Sequence, residues 1–473
     1  MKLKVQVVTI GEDGLETLHD VACLKREALT PETLGLSLAE GKAVLKSIQE
    51  VVVEWQMADY LPKQRTCPAC GKTRRSKDSH PIEIRTVFGS LPVDSPRLEH
   101  CGCQPQPTKT FSPLAALLPE HTMPELLFLE TKWAALMSYG LTASLLQDVL
   151  PIDEPLHAVT IRNHAFKVAE RLEQALGDEQ FSFVETCQAQ RDELPMPDGP
   201  LVVGIDGGYV RGARKQGNFE IITGKSIRAF RRDDEDEQTS SRCFAFVQTY
   251  DKKPKRRLFE LLKAQGMQEN QQITFLSDGG DDVRNLPLYL SPEAEHFLDW
   301  FHITMRLTVL KQMARGVPET IPIEEQAYPL REPVLKALER SKWFLWHGNV
   351  YQSLEALEGE SDWVEGAAAE TRNASVQKLS KTLEEFQTYI KGNAAFIPNY
   401  GERYRNGERI STGFVESTVN QVISKRMVKK QQMQWTPRGA HLLLQVRTRV
   451  LDGEWEAVFR GWYPGFRSHA RTA

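Results

Sequence analysis

The chain has only seven cysteines in 473 residues, too few and odd in number for the disulfide framework of an oxidised extracellular scaffold. It also lacks any apolar run of the roughly 18 residues that a membrane span requires. Its opening residues, MKLKVQVVTIGEDG, bring acids and glycine before a signal-like apolar core can form, so export is not expected. Neither a GxGxxG fingerprint nor a Walker A motif occurs, and nothing points to a nucleotide cofactor. Excess charge is missing too: 59 basic residues against 63 acidic give a net of -4, which says nothing by itself about nucleic acid.

What is present describes globular protein. Hydrophobic residues make up 41% and charged residues 26%, and this length corresponds to two to four units of roughly 150 residues. Charge is unevenly distributed. From Ser411 to Arg449 seven basic residues face one acid, Glu416, and from Lys63 to Arg85 seven face two. Acids cluster at residues 233–237 and 355–362. Basic stripes on an acidic body would hold a polyanion, although such runs are also ordinary solvated faces.

Four cysteines are grouped: CPAC at Cys67 and Cys70, and CGC at Cys101 and Cys103. The two-residue spacing, with Gly71 supplying a turn, suits two thiolates on one tetrahedral ion. Between the pairs, IRTVFG and LPVDSPRLEH read as strands around a Gly-Ser turn. Four thiolates at the base of a strand pair make a zinc-ribbon-like element, expected to hold one structural Zn²⁺. A redox site and reduced structural cysteines are the alternatives, and His100 is a substitute ligand. Cys23, Cys187 and Cys243 have no such grouping and are expected to pack.

Leu34 to Met57 has the apolar stripe of a helix. After the proline-rich stretch from Cys103, Leu126 to Leu176 reads as two helices around a turn at Asp153 and Glu154, in outline a helix-turn-helix or an ordinary helical hairpin. In the first reading Arg162, Asn163, His164 and Lys167 form the exposed face and reach a DNA groove, with Ile161, Phe166, Val168 and Leu172 turned inward.

At residue 200 the texture changes. PLVVGIDGGYVRG reads as an apolar strand ending in Asp206 before Gly207 and Gly208, and QQITFLSDGGDDVRNL as another ending in Asp278 before a second Gly-Gly pair. Strands and helices alternate around them, which describes an α/β sheet. Carboxylates at neighbouring strand ends can share divalent ions, and the glycines would let a phosphodiester approach; a plain turn-capping role for each Asp is the alternative. Glu416 is the third candidate acid, on a helix that Ser411, Thr412 and Gly413 would start, or else it is a satisfied ion pair. Asn420 lies one turn beyond it, and Lys425, Arg426, Lys429 and Lys430 extend a basic surface. LDWFHI brings Asp299 and His302 three residues apart. They would support the strand and helix or position a phosphate. Trp343, Trp346 and Trp363 are core candidates with a stacking role as the alternative.

These motifs, GIDGGYVRG, FLSDGGDDV, LDWFHI and TGFVESTVNQVISKRMVKKQQMQWTPRGAHLLLQVR, resemble those of DDE-type insertion-sequence transposases. The likeness is to the ISKra4 family and, more distantly, to the Mutator-like group. The resemblance covers most of the chain and is most specific in the DDE blocks. It implies a ribonuclease H-like catalytic core with a helical insertion, preceded by a zinc-ribbon-like element and a helical DNA-binding region. The family's catalytic acids fall on Asp206, Asp278 and Glu416, which would hold two Mg²⁺ or Mn²⁺ ions, and its D-x-x-H element on Asp299 and His302. The expected organisation is a helical region at 1–62, the ribbon at 63–110 and a helix-turn-helix-like region at 120–180. The core would follow at 200–322, the helical insertion at 323–395, and the core's final part with a basic carboxy-terminal region at 400–473. Expected partners are the double-stranded DNA of element ends and target, bound by several copies of the chain, with a cytoplasmic, nucleoid-associated location and no membrane. Rival expectations are a structure-specific nuclease or resolvase, and a domesticated DNA-binding protein without activity.

Overall fold

The computed structural model describes all residues except 104–107, 119, 153–154, 198, 214–216, 229–240, 281–289, 292–293, 324–325, 429–433 and 469–473. The chain forms two compact units, residues 1–168 with 454–473, and residues 169–453.

The first unit opens with an antiparallel hairpin, β1 (Lys2–Ile10) and β2 (Glu16–Lys25), where the sequence suggested helix alone. The expected helix is α1 (Leu38–Gln64). It starts at a capping box in which the Ser37 hydroxyl accepts from the Glu40 N–H and the Glu40 carboxylate accepts from the Ser37 N–H. Arg26 grips the same carboxylate at 2.7 and 2.8 Å. The ribbon follows as β3 (Ser76–Thr86) and β4 (Gly89–Glu99), antiparallel. Thr86 pairs with Gly89, so the turn is Val87–Phe88, two residues earlier than the Gly-Ser pair. Gly89 has φ 114°, a conformation that favours glycine. A short β5 (Thr110–Phe111) joins β4. Then come α2 (Pro113–Leu117), α3 (Pro124–Leu136), α4 (Tyr139–Val149) and α5 (Ala158–Ala175). The turn expected at Asp153 and Glu154 lies outside the described residues.

After a short α6 (Gln188–Asp192), the second unit is built on a five-stranded mixed sheet. Its strands are β6 (Leu201–Arg211), β7 (Asn218–Arg228), β8 (Arg242–Val247), β9 (Ile273–Ser277) and β10 (Ala294–Leu298), in the order β10-β9-β6-β7-β8. The first three are antiparallel neighbours, while β9 and β10 run parallel to β6. Helix α7 (Pro254–Ala264) connects β8 to β9, and α8 (Trp300–Gly316) follows β10. A hairpin, β11 (Thr320–Ile323) with β12 (Gln326–Pro329), precedes α9 (Arg331–Trp346), α10 (Val350–Thr371) and α11 (Ala374–Gly392), the helices expected as an insertion. The short α12 (Tyr400–Arg405) and α13 (Gly413–Val419) lead into a π-helical segment, Asn420–Val428, and then α14 (Pro437–Leu451).

Strand alternation divides the core. Leu201, Val203 and Ile205 of β6 point to one face and join Phe244, Phe246, Leu258 and Leu262. Val202 points to the other and shares a core with Leu276, Phe297, Ile303, Leu338 and Leu383. Burying each such side chain contributes about 1.5–3 kcal/mol, so α9–α11 are part of the sheet's own core and not an appended module. Of the tryptophans expected inside, Trp346 and Trp363 pack against this core but Trp343 is exposed.

The final helix, α15 (Trp455–Trp462), belongs with the first unit. Phe459 meets Phe128 edge-on at 5.3 Å, and the Trp455 indole donates to the Phe128 carbonyl at 3.4 Å. Residues 400–473 are therefore not one piece, because this apolar helix finds its partners on α3.

Candidate functional site

Register brings the first two acids together. Strands β6 and β9 pair in parallel from Leu201 with Ile273 to Gly204 with Leu276, an offset equal to the spacing between Asp206 and Asp278. Carried on by two residues, that register sets both aspartates at the same level of adjacent strands, which run about 4.8 Å apart. The β9–β10 pairing ends with Ser277 opposite Leu298, so Asp299, just past the end of β10, falls level with Asp278. Strand β6 itself does not stop at Asp206 but continues to Arg211.

Glycine brings in the third acid. Asp206 shares its face of β6 with Gly204 and Gly208, and both glycines are covered. A Cβ on Gly204 would stand 2.2 Å from Val415 Cγ2, and one on Gly208 2.9 Å from Ile423 Cδ1. The alternation Gly-x-Asp-x-Gly therefore seats α13 and the π-helical segment directly on the strand that carries Asp206, and Glu416 lies on α13 one residue after Val415. This corrects the expectation that Gly207 and Gly208 leave open space for a phosphodiester: a Cβ on Gly207 would meet the Glu220 carboxylate at 2.4 Å. Gly279 is filled likewise, with φ 89° and the Asn393 side chain where a Cβ would be. Only Gly280 of the four is exposed, with its N–H on Asp278 Oδ1 at 3.0 Å.

Electrostatics register the convergence. Burial raises the Asp206 carboxyl above the ordinary aspartate range; the Gly207 N–H and His302 pull it back, and the charges of Asp278 and Glu416 push it further up. Asp206 and Asp278 are half-buried and Glu416 is exposed, so the site is a rim open to solvent.

Asp299 is fully buried. Its Oδ1 caps α8 through the Phe301 N–H at 2.8 Å and accepts from the Thr412 N–H at 3.1 Å. Its other oxygen accepts from the Thr412 hydroxyl and lies 3.7 Å from His302 Nε2. Burial raises this carboxyl too, opposed by Thr412, the Phe301 N–H and His302. Asp299 is thus a strut tying the end of β10 to the start of α13. Thr412, expected to start that helix with its side chain, gives its hydroxyl to Asp299 instead. The sequence offered no signal for the tie between Thr412 and Asp299, nor for Tyr389, whose hydroxyl donates to the Asp278 carbonyl at 3.0 Å.

In the first unit the four thiols of Cys67, Cys70, Cys101 and Cys103 lie within 4.8 Å of one another, with Cys67–Cys103 at 3.5 Å and Cys70–Cys101 at 3.3 Å. Sulfurs at about 2.3 Å from a tetrahedral zinc stand roughly 3.8 Å apart, so the donor set fits Zn²⁺. All four are free thiols. The N–H groups of Ala69 and Cys70 hold the Cys67 thiol down to about 6, favouring the thiolate that a metal needs. His100 is not part of the group: its ring packs on Phe111 at 4.7 Å and its Nε2 meets the Thr108 hydroxyl. Of the other cysteines only Cys243 is buried, while Cys23 and Cys187 are exposed.

The residues expected to touch DNA divide. Arg162, Asn163 and Lys167 are exposed on α5, with Lys167 3.4 Å from Glu120. His164 is not on that face; its Nδ1 lies 2.5 Å from the buried Glu130. Lys425 is exposed, but Arg426 is fully buried with its guanidinium 5.2 Å from the Trp435 ring centroid. Arg447, also buried, donates to the carbonyls of Val422 at 2.8 Å and Gln421, and burial lowers it to about 10. Part of the basic run therefore braces the π-helical segment, whose irregular winding turns carbonyls toward side-chain donors. Lys429 and Lys430 lie outside the described residues.

A group that the sequence did not suggest is Glu173, Asp251 and His441. Arg257 already occupies it, at 2.9 Å from Glu173 and 3.0 Å from Asp251, so it is an internal ion-pair network. Among the described residues no helix is long and apolar enough to cross a membrane. Compared with protein-family models and with curated proteins, the chain matches none.

Proposed function

We propose that the chain is a DDE transposase that cleaves DNA at insertion-sequence ends and joins the freed ends to a target, using Asp206, Asp278 and Glu416. The observation that carries this reading is the convergence of three carboxylates, two by sheet register and one by a helix seated on glycines. The strand order β10-β9-β6-β7-β8, with β6, β7 and β8 antiparallel neighbours and β9 and β10 parallel to β6, supports a ribonuclease H-like core, since the acids then lie on the first strand, after the fourth and on a later helix.

Hard carboxylate oxygens on a solvent-open rim fit divalent cations such as Mg²⁺ or Mn²⁺, and Asp206, Asp278 and Glu416 would hold them. Two such ions, when bound, activate the attacking hydroxyl group and stabilise the leaving oxygen of an in-line displacement. The protein's own residues supply placement. Asp206 and Asp278 are fixed by the backbone of adjacent strands, and Asp299 through Thr412 fixes the start of the helix that carries Glu416. His302 sets a polar group against both Asp299 and Asp206. The thiol ribbon and the exposed basic face of α5 are the DNA-holding parts in this reading, with several copies of the chain assembling on DNA.

The test is Mg²⁺-dependent cleavage and strand transfer on DNA that carries the ends flanking the encoding gene. Asp206→Asn, Asp278→Asn and Glu416→Gln should each abolish both steps while the fold survives. Cleavage without strand transfer by the wild-type chain would assign it to the nucleases or resolvases instead, and transfer surviving in any folded variant would overturn the assignment.

A further inference from the structure

We infer that Arg306 is a phosphate-binding residue of the carboxylate rim, held over the Tyr389 ring so that its guanidinium meets the DNA backbone beside Asp278. This deepens the function proposed above and rests on it. Arg306 lies one turn beyond His302 on α8 and so on the same face of that helix. Its guanidinium carbon is 4.1 Å from the centroid of the Tyr389 ring, a cation–π geometry that holds the charge in place. The Tyr389 hydroxyl in turn donates to the main-chain oxygen of Asp278 at 3.0 Å. A chain of contacts thus leads from the second acid to a fixed positive charge.

Two further observations favour an anion there. Arg306 is exposed, and among the described residues no carboxylate forms an ion pair with it, unlike Arg257 and Arg403, which are paired in this unit. A rim of three carboxylates repels a phosphodiester, so a cation at its edge serves to admit one. Guanidinium suits this because its planar fork matches two phosphate oxygens.

The experiment measures binding of a labelled nicked duplex by the full-length chain across a KCl series, with Ca²⁺ in place of Mg²⁺. Arg306→Ala should weaken binding roughly tenfold and reduce the salt slope by about one. Arg306→Lys should restore the slope but not the full affinity. Tyr389→Phe, which keeps the ring and removes the hydroxyl, should leave the slope intact. An Arg306→Ala chain that melts like wild type yet keeps slope and affinity would overturn the inference; if that variant does not fold, Arg306→Gln is read by the same criterion. Cleavage by Asp206→Asn is measured alongside. If it persists, the carboxylate reading fails, whereas the salt slope of the Arg306 variants still reports whether phosphate is bound there.

Discussion

The two candidate metal sites are built in opposite ways. The ribbon's thiols come from two short motifs joined by one hairpin, so a metal held by them would clamp the base of that hairpin. The carboxylates of Asp206, Asp278 and Glu416 come from distant segments and meet because a packed sheet sets their register and a helix is fitted onto it, so the fold organises the metal site. The first kind of site is written in spacing alone. The second depends on which strands pair and in what register, and the residues that secure it are glycines, a threonine and a buried aspartate, none of them a ligand.

Removing metal should separate the two regions most sharply. Structural zinc in small modules contributes an apparent 10–16 kcal/mol, so Cys67→Ser with Cys70→Ser should lose about one zinc per chain by metal analysis and unfold the ribbon. The sheet unit should keep its melting transition. Full zinc retention in that variant would remove the distinction.

Next in size is the helix seat. Gly204→Ala puts a Cβ 2.2 Å from Val415, and overpacking of this kind costs about 1–3 kcal/mol. Lower thermal stability and weaker divalent-ion binding are both expected; wild-type ion binding would mean that the seat does not place Glu416. Thr412→Val takes a hydroxyl from the buried Asp299, which should cost about 1–3 kcal/mol in denaturant unfolding.

A smaller effect has the opposite sign. Because its carboxyl is raised in the fold above the ordinary 3.8, protonated Asp206 stabilises the native state. That contribution is complete below 3.8 and is lost as pH rises through the folded value. Metal-free Asp206→Asn should therefore melt higher than wild type at neutral pH, and Mg²⁺ should stabilise only the wild type. The smallest effect divides the basic run: Lys425→Gln should reduce the salt slope of DNA binding by up to about one without changing stability, whereas Arg426→Gln should lower stability because that side chain is buried.

Much of this was legible in the sequence. Four thiols at two short spacings marked the ribbon, and apolar runs ending in Asp-Gly-Gly marked β6 and β9. The role of the Gly-Gly pairs was misread because a sequence shows that space is left but not what fills it: Glu220 comes from the neighbouring strand, and Ile423 and Asn393 arrive from far along the chain. Charge counting failed at Arg426 and Arg447 for a related reason, since nothing local distinguishes a solvated arginine from one buried against π-helical carbonyls. The opening hairpin was legible in the sequence and overlooked: Val5, Val7 and Thr9 alternate with exposed residues, and Gly11-Glu12-Asp13-Gly14 supplies the turn, with Gly14 at φ 76°. Placement of the final helix with α3 is a long-range packing choice that Trp455 and Phe459 make without any local mark.

The convergence itself is tested most directly by titrating Mn²⁺ into the full-length chain, with zinc retained, and following bound metal by electron paramagnetic resonance. Wild type should bind Mn²⁺, and Asp206→Asn, Asp278→Asn and Glu416→Gln should each weaken that binding strongly while melting as folded proteins. Undiminished binding in any one of the three would show that its carboxylate is not part of the site.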